Sequence, residues 1–224
     1  MAFGGFKNEM IDFAWGIRLN NNREWFLSHK EDYLNYFYRP MQELTRDVWA
    51  LAEKYLPEGT HIHLSRIYRD VRRAHGDAGP YKDSLWFNIR RDYPGDWMES
   101  PVFFLEIDPD GYYFGLSTLQ SKPATMRRFR ERIDANPAEF ERMARRLERI
   151  PGFAVDGQEY KKPKKVWGGI IDKWYNRKKI SFYCSRVPDE LMMSPGLADH
   201  VAGCFKRLMP LYEYAWSLYD MDEV

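Results

Sequence analysis

The densest polar stretch of the chain runs from Arg66 to Lys82. It reads Arg66-Ile67-Tyr68-Arg69-Asp70-Val71-Arg72-Arg73, and after a short loop Pro80-Tyr81-Lys82-Asp83. If the first part is a strand, Arg66, Tyr68, Asp70 and Arg72 share one face, because alternate side chains of a strand point the same way. Two guanidiniums then flank a carboxylate, with a phenol beside them. A guanidinium offers paired donors in one plane, which match two oxygens of a carboxylate or a phosphate. Arg66, Arg69, Arg72, Arg73 and Lys82 outnumber Asp70, Asp77 and Asp83, so the stretch is short of counter-anions. One reading is a pocket for a small anion, phosphate-bearing, held by Arg66, Arg69, Arg72 and Lys82. Asp70 would orient the arginines and Tyr68 and Tyr81 would line the pocket. The other reading, equally open, is a salt-bridge network that sets strand register and holds the fold. Asp70 with Tyr81 or Lys82 also has the groups for acid–base chemistry, although nothing fixes a substrate.

Three further constellations carry less. Asn21 and Asn22 precede a helical pattern, where asparagine is a good cap; alternatively, they bring a helix start to the same anion. His61 and His63 share a strand face, but zinc needs a third ligand and no metal-spaced cluster lies nearby. The segment from Tyr160 to Lys179 interleaves cations with Trp167, Trp174 and Tyr175, a pattern that suits a nucleic-acid backbone and stacked bases. The plain alternative there is a solvated loop with its tryptophans in the core. No nucleophile elbow, P-loop or dinucleotide fingerprint is present, and no motif calls for a cofactor.

The elements that must position these residues follow from periodicity. Asn8–Ile17 predicts a helix, and a second follows Asn22 with Trp25, Phe26, His29, Tyr33, Tyr36 and Phe37 at helical spacing. Pro40 predicts the start of another, since proline is tolerated at the first helical position. After Pro57-Glu58-Gly59 the pattern alternates. Strands are predicted at Ile62–Tyr68, Ser84–Arg91, Val102–Ile107 and Tyr112–Ser117, the last two joined by Asp108-Pro109-Asp110-Gly111 with glycine supplying a positive φ. Pro123 and Pro137 open helices, the second capped by Asn136. Phe153–Tyr160 predicts a strand or extended link, Gly169–Tyr175 a helical turn and Ile180–Arg186 a strand. Helix returns from Pro195, with a kink or break at Pro210. This order has no βαβ alternation. It predicts one α+β domain over 1–224, a mainly antiparallel sheet with helices on one face and helical N- and C-terminal parts.

Composition removes several classes. Hydrophobic residues make up 44% of 224 and charged residues 30%, which is neither disordered nor membrane-like. The balance of 34 basic to 33 acidic residues leaves a net charge of +1, so a nucleic-acid partner would have to rest on a local patch. No window approaches the ~20 apolar residues of a membrane span, and the opening residues predict no signal peptide. Cys184 and Cys204 are far apart in sequence and predict reduced thiols in a cytoplasmic protein.

The motif R-x-x-R-D-x-R followed by P-Y-K resembles the signature of an uncharacterised bacterial family, a domain of unknown function of about this length. Phe3-Gly4-Gly5-Phe6, the Asn21-Asn22-Arg23-Glu24-Trp25-Phe26 segment, the Tyr112-Tyr113 hairpin and the Arg127-Arg128-Phe129-Arg130 helix resemble the same family. Two positions depart from its pattern. Arg73 stands where the family has Phe, and the loop before Pro80 lacks a Lys that the family carries. The resemblance implies a site at the arginine segment and brings no activity with it.

Overall fold

A computed structural model describes residues 2–69 and 79–219. The chain opens with α1 (Asn8–Leu19), α2 (Arg23–Ser28) and a short turn of helix α3 (Lys30–Asp32). A π-helical stretch, Tyr33–Tyr38, then runs without a break into α4 (Arg39–Ala52). Pro40 was expected to start a helix, and it does stand in the first turn of α4, although the π-helical stretch leads into it without a gap. Proline has no N–H for an i→i−4 bond. Arg39 just before it bonds to the Leu34 carbonyl, five residues back, so the widened turn absorbs the missing bond.

The middle of the chain is a sheet of β1 (Thr60–Leu64), β2 (Leu85–Arg91), β3 (Pro101–Asp108) and β4 (Gly111–Thr118). Two more strands, β5 (Phe153–Val155) and β6 (Ser181–Arg186), arrive after the helices α5 (Pro123–Ala135) and α6 (Pro137–Leu147). The order across the six-stranded sheet is β1-β2-β3-β4-β6-β5. Every pairing is antiparallel. A short α7 (Asp172–Tyr175) precedes β6, and α8 (Leu197–Trp216) follows it. The expected kink or break at Pro210 does not interrupt α8. Pro210 lies inside the helix and is exposed, on the solvent side.

The fold is α+β with its helices on one face of the sheet. Leu85, Phe87 and Ile89 of β2, Phe103, Leu105 and Ile107 of β3, and Phe114 and Leu116 of β4 are each fully buried on that face. Phe103 stacks between Phe205 and Tyr212 of α8, at 4.9 Å from each. The N-terminal segment straps the same layer: Phe3 and Phe6 are buried, Phe3 N donates to Asp47 of α4 at 2.7 Å, and Phe6 N to the Met192 carbonyl at 3.2 Å.

The β3–β4 hairpin corrects one expectation. Gly111 does not have a positive φ. The turn is closed instead by the Asp108 carboxylate, whose Oδ1 accepts from Asp110 N at 2.8 Å and Gly111 N at 2.9 Å. Glycine is needed because β6 runs alongside: a Cβ at position 111 would lie 2.1 Å from the Arg186 carbonyl oxygen.

Candidate functional site

Ile62–Tyr68 was expected to be one strand, but β1 ends at Leu64. Ser65 still pairs with Trp86, its N donating to the Trp86 carbonyl at 2.8 Å and its Oγ accepting from Trp86 N at 3.0 Å. Beyond it the chain leaves the sheet. It pairs instead with the segment after the loop: Arg69 N donates to the Pro80 carbonyl at 2.9 Å and Lys82 N to the Ile67 carbonyl at 2.7 Å. Tyr68 and Tyr81 face each other across this isolated antiparallel bridge. The two halves of the motif, R-x-x-R and P-Y-K, are therefore brought together. Asp70 and Arg72, with Arg73 and most of the 73–80 loop, lie outside the described residues.

Asn21 joins the bridge from the N-terminal helices. Its Nδ2 donates to the Tyr81 carbonyl at 2.9 Å and its Oδ1 accepts from Tyr81 N at 3.0 Å. Asn22, by contrast, is a plain cap, with Oδ1 accepting from Trp25 N at 2.9 Å. Gly79 is pressed against the clamp: a Cβ there would fall 2.4 Å from Asn21 Oδ1. Tyr81 is 5% exposed and its ring stacks on Phe26 at 4.2 Å, so it anchors the bridge from the core side. Tyr68 is exposed on the other side.

The cations divide into two kinds. Arg69 is committed to the scaffold: its Nε donates to the Tyr81 carbonyl at 2.6 Å, and an Nη lies 3.9 Å from Asp83. Asp83 is itself held by Arg18 Nε at 2.5 Å, and Arg18 reaches on to Asp110 at 2.6 Å. Burial works against the Arg18 charge, but its bonds to Asp110 and Asp83 outweigh it and raise its pKa. Arg18 was missed in the sequence, since nothing in a helical pattern says which loop its side chain meets. Arg66 and Lys82 differ from Arg69. Among the described residues neither side chain makes a hydrogen bond or ion pair. Arg66 is exposed, while Lys82 is half-buried with its ammonium 5.3 Å from the Trp86 ring centre. Burial lowers the Lys82 pKa, opposed by the charge of Glu106 and reinforced by Arg69 and Arg66.

Lys82 points along the sheet face that carries no helix. There a cleft of about 340 Å³ is lined by Trp86 and Asn88 of β2, Phe104 and Glu106 of β3, and Trp97 and Met98 of a short turn, Trp97–Glu99. The turn is fixed by Asp96, whose Oδ1 accepts from Met98 N at 3.0 Å, and by Gln120 N, which donates to the Met98 carbonyl at 2.7 Å. Glu106 accepts from Ser84 Oγ at 2.7 Å, and burial pushes its pKa up despite that bond. A larger concavity of about 430 Å³ lies between α6 and α8, where Arg142, Arg146 and Arg207 sit in open solvent beside Glu139 and Glu213.

The other sequence candidates have local partners. His61 Nε2 accepts from Arg90 Nε at 3.0 Å, and His61 Nδ1 lies 3.5 Å from Asp92. No group of three or more His, Cys, Asp or Glu side chains converges among the described residues. In the basic segment, Lys165 pairs with Asp134 at 2.7 Å, Lys173 with Glu148 at 2.5 Å, Arg177 with Glu159 at 3.1 Å and Lys179 with Asp156 at 3.6 Å. Trp174 is buried against Phe140 and Phe182. Among the described residues, no helix is long and apolar enough to cross a membrane.

An antiparallel α+β fold with a polar bridge beside an aromatic cleft defines the class of this chain. Over residues 9–214 it matches the DUF2461 family of conserved hypothetical proteins, and it belongs to that family. No curated protein matches it.

Proposed function

We propose that this protein binds a small phosphate-bearing anion at the bridge between residues 66–69 and 80–82. Lys82 and Arg66 are the direct ligands, Tyr68 lies at the rim, and Arg69 fixes the bridge that carries them. The observation behind this reading is Lys82 itself. A half-buried ammonium that rests on an indole and meets no acceptor among the described residues is held charged at a cost. A dianion would supply the missing charge and three acceptor oxygens.

The test is a thermal-stability panel of wild type and Lys82→Met against inorganic phosphate, sugar phosphates, nucleotides and short single-stranded DNA. A ligand at a hundred times its Kd stabilises by about 2.7 kcal/mol. A shift with phosphate compounds that Lys82→Met abolishes supports the site. No shift with any of them in wild type defeats it.

The nucleic-acid reading through residues 160–179 has less behind it, because Lys165, Lys173, Arg177 and Lys179 already face carboxylates. A purely structural role fits Arg69 and Arg18 but leaves Lys82 without a reason. Cys184 and Cys204 are free and buried, which supports a reducing, cytoplasmic setting.

A further inference from the structure

Asn88 is the most unusual residue on the helix-free face. It is 2% exposed, yet among the described residues its buried side-chain oxygen Oδ1 accepts no hydrogen bond. Buried amides are almost always paired, because leaving one unpaired costs about 1–3 kcal/mol. This one lines the cleft described above, with its Oδ1 buried in the cleft wall. It is paired across the sheet with Phe104.

The neighbours state what kind of molecule that is. Trp86, Trp97 and Phe104 supply flat apolar walls, with the two indoles 6.1 Å apart and inclined at 34°. That separation is too small for a ring to slide between them, and Arg90 lies over Trp97 at 4.8 Å, so a planar guest would rest on the parts of the two indoles that line the cleft and on Phe104. Glu106, the cross-strand partner of Trp86, brings a carboxyl group to the same cleft. An asparagine amide presents one donor and one acceptor side by side, the pattern that pairs with the edge of a nitrogen heterocycle. Lys82 stands 5.3 Å from the Trp86 ring centre, and Trp86 and Asn88 share a face two positions apart along β2, about 7 Å in a strand. A single sugar bridges such a distance between a phosphate and a ring.

We infer that the cleft takes the heterocycle of a nucleoside monophosphate, with Asn88 and Glu106 reading the ring edge and Trp97 covering its face. The inference rests on the anion site at Lys82 and names the ligand class for it. The cleft volume falls in the range of small-ligand pockets.

Calorimetric titration separates the two claims. Wild type, Asn88→Leu, Trp97→Ala and Lys82→Met are titrated with ribose 5-phosphate, the nucleoside monophosphates and the uncharged nucleosides. At least one nucleoside monophosphate is expected to bind wild type ten-fold or more tighter than ribose 5-phosphate. Asn88→Leu and Trp97→Ala are expected to erase that preference while ribose 5-phosphate binds as before. Lys82→Met is expected to weaken every phosphate compound and leave the nucleosides unchanged. Trp97 sits in an exterior turn, so its variant keeps a readable result if Asn88→Leu fails to fold. Equal affinity for ribose 5-phosphate and all the nucleotides overturns the heterocycle inference and leaves the anion site standing. Nucleosides that bind through Asn88 with no contribution from phosphate overturn the anion site and keep the cleft. No binding of any compound at millimolar concentration overturns both.

Discussion

Asn21 holds both polar groups of the Tyr81 main chain, donating to its carbonyl at 2.9 Å and accepting from its N–H at 3.0 Å. A single side chain thereby does what a neighbouring strand would do. It locks the P-Y-K segment to the helical N-terminal part, and the position of Lys82, the next residue, depends on it. Asn21→Ala leaves the part-buried Tyr81 N–H without a partner and its carbonyl with Arg69 Nε alone, and is expected to cost about 1–3 kcal/mol. Gly79→Ala, which drives a methyl into the same clamp, is expected to cost a similar amount, about 1–3 kcal/mol. Urea unfolding of the two variants checks both; midpoints unchanged from wild type would mean the clamp holds nothing.

Arg66 is exposed and unpaired among the described residues. Arg66→Ala is expected to change stability by no more than about 0.5 kcal/mol, as surface substitutions do. Anion affinity is expected to fall in the same variant. A large loss of stability would instead favour the structural network. Arg69→Ala cannot separate the two readings, since Arg69 supports the Tyr81 carbonyl whatever the site binds.

For Lys82→Met the direction reverses. Removing a half-buried ammonium without an acceptor is expected to leave the unliganded protein at least as stable as wild type, while phosphate compounds lose ten-fold or more in affinity. Paired melting and titration curves check this. A destabilised variant with normal binding would reject the assignment of Lys82 as a ligand.

Glu106 gives a pH dependence with a definite sign. Burial raises its pKa in the folded protein above the ordinary value of 4.5. The folded state therefore holds a proton that the unfolded state has released, and stability from this group is fully present below 4.5 and lost as pH rises through the raised value. Glu106→Gln is expected to flatten that part of the stability–pH curve. Parallel curves for variant and wild type would show that the carboxyl titrates normally.

Neither thiol is expected to react while the fold is intact. Burial pushes the Cys204 pKa up to about 11 and raises that of Cys184 as well. Labelling with an aromatic disulfide reagent should be slow until denaturant is added, then proceed at both sites. Rapid native labelling would place a thiol at the surface.

The strands, their antiparallel character and the one-sided helical layer were legible in the sequence because period-2 alternation and proline–glycine punctuation are local signals. The capping roles of Asn22 and Asn136 were legible for the same reason. What escaped was set by contacts distant in sequence. Gly111 answers to the Arg186 carbonyl of another strand rather than to its own turn. Arg18 is drawn to Asp83 and Asp110 by the way α1 lies against two loops. Asn88 falls on the outward face of β2 by alternation, where a polar residue is expected. That it is nonetheless buried, in a cleft it shares with the Trp97 turn, is something no periodicity in β2 announces. The association of Asn21 with P-Y-K could be suspected from the motifs, but not its bond pattern.

The N-terminal strap ties Phe6 to Met192 and Phe3 to α4, which in turn packs on α8. During synthesis, then, Phe6 lacks its Met192 partner until residue 192 has left the ribosome. At about 5–20 residues per second that wait is on the order of ten to forty seconds. Over that interval Phe6 is an unanchored aromatic ring on the nascent chain, a handle for a chaperone and a hazard without one. The strap can close only once the segment just before α8 has been delivered.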